Sequence, residues 1–366
     1  MKQNKTMQGY LLNTIVIVVL FAAFQMLTAA YGSSGSFKLV IAPCLWQCCY
    51  LIILAASLNL VLGFLGQLSL GHCGFMAIGA YTAALLSLAC ERAEVFKNAN
   101  DPVYLVIIFA CILAAGILSA LVGLLVGIPA LRLKGDYLAI ITLGFGMIIV
   151  NIINNLPFCG QDGLALGSAS ASLYKNGLGF GSKSKVTFLW VAILTTIVCM
   201  TMMFMFIRSK YGRCIRAIRD DEIAASASGI NTSFYKVMTF AYSAFFAGVA
   251  GALYACANAT LSTSSFAFTN GGILNSTFIV VMVVLGGMGS MTGSIIAATV
   301  LTALPLIMQS FNSFRMVVYS LLLIMVMIFK PSGLLGHKDF SMTKTIEYFM
   351  NFKAIRARKK EVAPDA

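Results

Sequence analysis

Tyr211-Gly-Arg-Cys-Ile-Arg-Ala-Ile-Arg219 runs directly into Asp220-Asp-Glu-Ile-Ala-Ala-Ser-Ala-Ser-Gly-Ile230, a charged, Ala-rich insert between apolar runs at 187–207 and 237–258. Each flanking run has the length, about 17–25 residues, that a helix needs to cross the hydrocarbon core of a bilayer. An insert of this kind is either a solvated connector between two spans or a surface that a soluble partner grips. Both readings make the surrounding chain a membrane protein.

The composition agrees. The 366 residues are 60% hydrophobic and 10% charged, with a mean hydropathy of +0.91; a soluble domain carries roughly 25% charged residues. Further apolar runs lie near 10–31, 39–64, 70–90, 103–129, 137–156, 291–310 and 314–329. A Gly-rich run at 276–290 reads as a tenth span or a re-entrant piece. The expected fold is an all-α polytopic integral membrane protein of about ten transmembrane helices with Gly-interrupted or re-entrant segments. The first run is too long for a signal-peptide core and shows no small-residue cleavage site, so it reads as a retained span.

The net charge of +13 points to topology rather than to nucleic acid, because the basic residues gather in a few inter-helix positions. Lys2 and Lys5 place the N-terminus in the cytoplasm. Six spans deliver 208–236, with Arg208, Lys210, Arg213, Arg216, Arg219 and Lys236, to the same side. Four more return Lys353, Arg356, Arg358, Lys359 and Lys360 there, so both termini are expected to be cytoplasmic. Loop 157–186 then faces outside despite Lys175, Lys183 and Lys185. The expected organisation is one membrane domain, 1–336, containing a cytoplasmic loop at 208–236, and a basic tail, 337–366, that follows the helix-breaking Lys330-Pro-Ser-Gly333.

Catalytic chemistry has little support. Only His72 and His337 are present, no metalloprotease or nucleophile-elbow motif occurs, and the phosphate-cradling G-x-x-x-x-G-K-[ST] is absent. The chain is not expected to be an enzyme or to bind a metal or cofactor. Cys44, Cys48 and Cys49 share one stretch of helix but lack His or carboxylate neighbours.

The informative polar residues lie inside apolar runs, where they cost free energy unless paired. Asn59, Gln67, Ser69, His72, Tyr81 and Thr142 are candidates for a translocation pathway. None is charged, which argues against a proton relay or an ion filter. There is also an internal echo: Leu62-Gly63-Phe-Leu-Gly66-Gln-Leu-Ser69-Leu-Gly71 resembles Leu285-Gly286-Gly-Met-Gly289-Ser-Met-Thr292-Gly293. Paired glycine-interrupted segments point to broken helices along a transport pathway, or simply to close helix packing.

In the charged insert, Arg213, Arg216 and Arg219 recur at every third position, along one side of a helix. Glu222, Ala224, Ala225 and Gly229 follow, giving a smooth Ala/Ser surface that ends at a helix-stopping glycine.

Four stretches together resemble the LivM-type membrane permease of bacterial ATP-binding-cassette importers for branched-chain amino acids. They are Ser57–His72 with Gly79-Ala-Tyr-Thr82 beyond it, Gly127–Gly146, Tyr211–Gly251, and Phe329-Lys-Pro-Ser-Gly-Leu-Leu-Gly336. The resemblance implies translocation of leucine, isoleucine or valine across the bacterial cytoplasmic (inner) membrane. It implies a second homologous permease subunit, two cytoplasmic ATPase subunits carrying ATP and Mg, and an extracytoplasmic solute-binding protein. It also implies that 220–230 is the Glu-Ala-Ala-x-x-x-Gly loop that docks on the ATPase. Here Ile223 stands at the Glu position, with the acid one residue earlier at Glu222. Met147 stands where the family often has Glu. A related importer of urea, amides or other amino acids, and a stand-alone secondary transporter, are the alternative readings.

Overall fold

Ten helices and a two-residue β-bridge account for most of the residues that the structure, a computed structural model, describes: 42–92, 101–130, 136–156, 164–165, 189–258, 260–266, 276–307, 321, 324, 328 and 333. These lie in one compact unit, 34–337. The predicted first run (10–31), most of the predicted last run (314–329), nearly all of loop 157–186, and the tail with His337 lie outside the described residues.

In chain order the helices are α1 (Ala42–Asn59), α2 (His72–Arg92), α3 (Asp101–Ala130), α4 (Asp136–Asn154) and α5 (Leu189–Arg208). Then come α6 (Lys210–Asp220), α7 (Glu222–Ala227), α8 (Thr232–Ala257), α9 (Ser276–Gly286) and α10 (Met291–Ile307). Among the described residues, six stretches are long and apolar enough to cross a membrane: Cys44–Phe64, His72–Cys90, Val106–Ala130, Tyr137–Asn154, Leu189–Arg208 and Thr232–Ala257. The run read as a tenth span or a re-entrant piece is shorter than a full span. Its helix, α9, has 11 residues, about 16 Å at 1.5 Å per residue, roughly half the thickness of the hydrocarbon core. It ends at Gly286, and after a break at 287–290 the chain continues as α10.

Burial separates centre from periphery. In α1 and α8, 78% of the span is buried, against 33% in α3 and α4. The outer faces of α3 and α4 expose Leu113, Leu121, Leu125, Ile140 and Ile152, a continuous apolar surface suited to lipid rather than to water.

The central helices meet through small residues, because lipid tails are as apolar as leucine and association depends on close van der Waals approach. A Cβ on Gly79 would lie 2.1 Å from Gly248 O, and one on Gly251 would lie 2.0 Å from Met76 O, so α2 and α8 touch backbone to backbone. Ser119 on α3 locks the trio: its Oγ lies 3.0 Å from Phe75 O on α2 and 2.8 Å from Ala244 O on α8.

One extended segment closes the other end of the unit. Leu164–Ala165 (β1) pairs antiparallel with Thr260–Leu261 (β2), Leu164 opposite Leu261. Tyr81 Oη donates to Leu261 O at 3.1 Å, and Thr263 Oγ1 donates to Asn154 Oδ1 at 2.9 Å. The segment after α8 is thereby tied to α2 and to the end of α4.

The glycine contacts predict a graded mutational response. Gly79→Ala and Gly251→Ala should each cost about 1–3 kcal/mol of stability through overpacking. Gly144→Ala on α4, where an added Cβ meets nothing within 4 Å, should be neutral or stabilising by up to about 1 kcal/mol. Unfolding of the three variants in detergent micelles tests this ordering.

Candidate functional site

The two sequence-related interruptions face each other. In the first, α1 runs on through a π-helical turn, Leu60–Phe64. Leu65 N donates to Leu60 O at 3.2 Å and Gln67 N to Val61 O at 3.0 Å, while Gly66 takes φ +76° and ends the helix. In the second, Gly287 and Gly289 take φ +108° and +85° between α9 and α10. These left-handed values are available to glycine at little cost.

Asn59 joins them. Its side chain is fully buried, and all its main hydrogen-bonding groups are engaged. Nδ2 donates to Ser290 O at 2.9 Å and to Ser294 Oγ at 2.8 Å, while Oδ1 accepts from Gly289 N at 3.0 Å. Gly63 leaves room for this junction: a Cβ there would fall 1.8 Å from Asn59 Oδ1 and 2.3 Å from Gly289 N. Gly286 and Gly293 pack against each other across the second break, each lying where a Cβ would strike the other's carbonyl oxygen, at 2.5 and 2.1 Å. Gly333, at φ +83°, sits against Gly287, so part of the Pro-Ser-Gly motif reaches the same junction.

The other pathway candidates cluster on and behind the first break. His72 opens α2 and is buried. Ser57 Oγ directs its single hydrogen to Leu54 O at 2.8 Å, so it accepts from His72 Nε2–H at 2.7 Å. His72 is therefore a paired packing residue of α1 and α2. Thr142 on α4 accepts from Leu70 N at 3.2 Å and donates to Ala139 O at 3.0 Å. Gly71 lies against its carbonyl, where a Cβ would come within 2.0 Å. Gln67 Oε1 and Ser69 Oγ, on the extended stretch before α2, are buried and have no hydrogen-bond partner among the described residues. Next along the chain is a small cleft of about 10 Å³, room for roughly one water, between α2, α4 and the start of α9. Gly71, Gly74, Gly146, Met147, Phe266 and Ser276 are among its walls.

The charged insert folds into two short helices set at an angle by capping. Ser209 caps α6, and Arg216 Nη2 donates to Ile207 O at 3.0 Å, meeting a carbonyl at the end of α5. Asp221 ends α6 and caps α7, its Oδ1 accepting from Ile223 N at 2.8 Å and Ala224 N at 3.0 Å. Gly229, at φ +83°, closes α7 in a Schellman arrangement: Ile230 N donates to Ala225 O at 3.1 Å and Gly229 N to Ser226 O at 3.0 Å. An added Cβ at Gly229 meets nothing within 4 Å, so its conformation, not its size, requires glycine.

The insert's residues divide by direction. Ala225 is buried beneath α7, whereas Ala224 and Ile223 face outward, Ile223 at 77% exposure. Glu222 pairs with Lys236 at 2.6 Å, a lysine that is 4% exposed at the start of α8. Of the three arginines spaced by three, Arg213 is exposed, Arg216 bends back to α5, and Arg219 reaches the first helix break, where its Nη1 donates to Gly63 O at 2.7 Å.

Sequence reasoning singled out Asn59 and the two glycine segments separately but not their contact. It quoted Gly287, Ser290 and Gly333 within separate motifs without bringing them to one junction, and it missed Ser294. The signal for them was available in the Gly-Gly-Met-Gly-Ser-Met-Thr-Gly-Ser run, whose serines offer hydroxyls and caps beside each glycine.

The Glu222–Lys236 pair predicts non-additive stability. Glu222→Ala leaves a buried ammonium without its carboxylate and should cost about 1–3 kcal/mol. Lys236→Met added to Glu222→Ala should recover part of that loss, as read by unfolding midpoints of the single and double variants.

A family model described as "Branched-chain amino acid transport system / permease component" matches residues 40–329. The chain is 36% identical over 304 residues to the high-affinity branched-chain amino acid transport system permease protein LivM of Salmonella typhimurium, covering 78% of this chain and 67% of that protein. It is 22% identical over 338 residues to a probable LivM of Methanocaldococcus jannaschii, covering 83% and 95%. The related permease LivH of Escherichia coli K12 is 26% identical over 298 residues, covering 78% and 91%. No solved structure matches the chain.

Proposed function

The chain belongs to the branched-chain amino acid transport permease family, and from that premise we propose that it is the LivM-type membrane subunit of an ATP-driven importer. In this reading it pairs with a homologous permease, receives solute from an extracytoplasmic binding protein, and is driven by two cytoplasmic ATPase subunits that carry ATP and Mg. The transport class is carried by the family match across residues 40–329. The 36% identity to a LivM protein favours branched-chain amino acids as the solutes. The termini are assigned to the cytoplasm by the basic residues of the tail, of the N-terminal segment and of 208–236.

Coupling needs a place where a soluble subunit can hold the membrane domain. A nucleotide bound elsewhere shifts the inward–outward equilibrium only through contacts that differ between the two states. The unit α6–α7 has the required properties. It is short, capped at each end, and tied to α5 through Arg216 and to α8 through Glu222–Lys236. It presents Ile223 and Ala224 outward. The ATPase would seat an apolar pocket over Ile223, while Ala224 permits close approach. Ala225 supports the helix from beneath, and Gly229 turns the chain toward α8.

Solute would pass along the extended stretch before α2. Two buried oxygens, Gln67 Oε1 and Ser69 Oγ, lie there without partners among the described residues, just ahead in sequence of the small cleft lined by Gly71, Gly146 and Met147. Unpartnered buried acceptors are rare in folded proteins and suit transient hydrogen bonds to a passing ammonium group. A methionine at position 147 keeps the cleft uncharged, in keeping with an aliphatic side chain as cargo.

The test uses the complete transporter in liposomes. Ile223→Asp and Ala224→Arg change exposed side chains and should leave the chain folded, but should remove the ATPase subunits on co-purification and lower uptake at least tenfold. Full ATP-independent uptake by the wild-type chain, driven by an ion gradient, would sink the proposal.

A further inference from the structure

Arg219 is the one residue of the insert seen to reach both helix breaks. Its Nη1 donates to Gly63 O at 2.7 Å, and the same nitrogen lies 3.0 Å from where a Cβ on Gly289 would sit. Its stem covers Gly66, with Cγ 3.0 Å from that glycine's Cβ position. Gly66 and Gly289 are both at positive φ. The guanidinium therefore stands between the end of α1, past its π-helical turn, and the turn that links α9 to α10.

The electrostatics favour this placement. The C-terminal end of a helix carries unsatisfied carbonyls and partial negative charge. Here the end of α1 meets the Gly289 turn before α10, held to it by Asn59. A guanidinium has five donors in a rigid fork and remains charged, which suits a position between the Gly63 carbonyl and that turn better than an ammonium does. The cation does not come from either broken helix. It comes from α6, the helix directly preceding α7.

We propose that Arg219 is a positioning residue that transmits movement of α6–α7 to the junction of the two broken helices. The inference rests on the reading of α7 as the ATPase-docking helix. Displacing α6 would pull the guanidinium away from Gly63 O and from the Gly289 turn together. The end of α1 would then lose its counter-charge as the Gly289 turn loses the group packed on it, so the two breaks would respond in concert rather than separately. Arg216, by contrast, is engaged at Ile207 O on α5.

The experiment compares R219M, R219K and wild type in the assembled transporter, reconstituted with its binding protein and ATPases. Three quantities are measured for each: ATPase subunits retained, ATP hydrolysed, and leucine taken up. R219M keeps the stem over Gly66 and removes the fork. It should retain the ATPases and hydrolyse ATP within about twofold of wild type, while uptake per ATP falls roughly 5- to 150-fold, the span of an ordinary coupling. R219K, with charge but no fork, should fall between. Wild-type uptake per ATP in R219M overturns the proposal, as does loss of the ATPase subunits in step with uptake, which would make Arg219 a docking residue. Should R219M fail to assemble, R219K decides, and wild-type uptake per ATP from it overturns the proposal. A wild-type chain that retains no ATPase overturns the docking reading instead, and is seen before any variant is compared.

Discussion

One buried amide holds this structure in register. Asn59 donates twice and accepts once across the gap between two interrupted helices, to Ser290, Ser294 and Gly289. A carboxamide in an apolar interior without partners costs about 1–3 kcal/mol for each group left unmade. Breaking one bond therefore strands groups on both sides. The end of α1 also needs the junction for itself, since its last carbonyls have no partner within the helix. Asn59 on one side and Arg219 on the other satisfy groups that neither helix satisfies internally.

The rest of the fold serves that junction by bringing backbones close. Glycines at 63, 286 and 293 occupy places where a methyl group would collide with main-chain atoms or with the Asn59 amide. Ser119 and the Gly79–Gly248 contact do the same work for α2, α3 and α8. The insert α6–α7 joins this centre through three polar contacts: Arg216 to α5, Glu222 to Lys236 of α8, and Arg219 to the break after α1. A load applied at Ile223 and Ala224 thus arrives at the broken helices through short, directional bonds.

How much of this the amino-acid order revealed depended on sequence distance. Runs such as 187–207 and 237–258 were legible as spans because length and apolarity suffice to identify a crossing helix. The insert was legible as helical and charged, with its Gly229 stop, because capping is local. The run at 276–290 was not legible, since apolarity alone does not separate a half-helix of 11 residues from a short span. Asn59 and Ser290 are 231 positions apart, beyond the reach of any periodicity. Alanines 224 and 225 are adjacent and identical, yet one is exposed and the other buried, a distinction set by packing on neighbouring helices. Evenly spaced arginines lie along one side of the helix; carbonyls at the ends of α5 and α1 engage Arg216 and Arg219, while all three remain exposed.

The most direct measurement is a double-mutant cycle between Asn59→Ala and Ser294→Ala, read as unfolding free energies of the detergent-solubilised chain. If the amide joins the two breaks as one junction, the single losses will overlap and the coupling will fall between about 0.5 and 3 kcal/mol. Losses that add to within roughly 0.5 kcal/mol would show the two breaks to be energetically independent, and would contradict a shared junction.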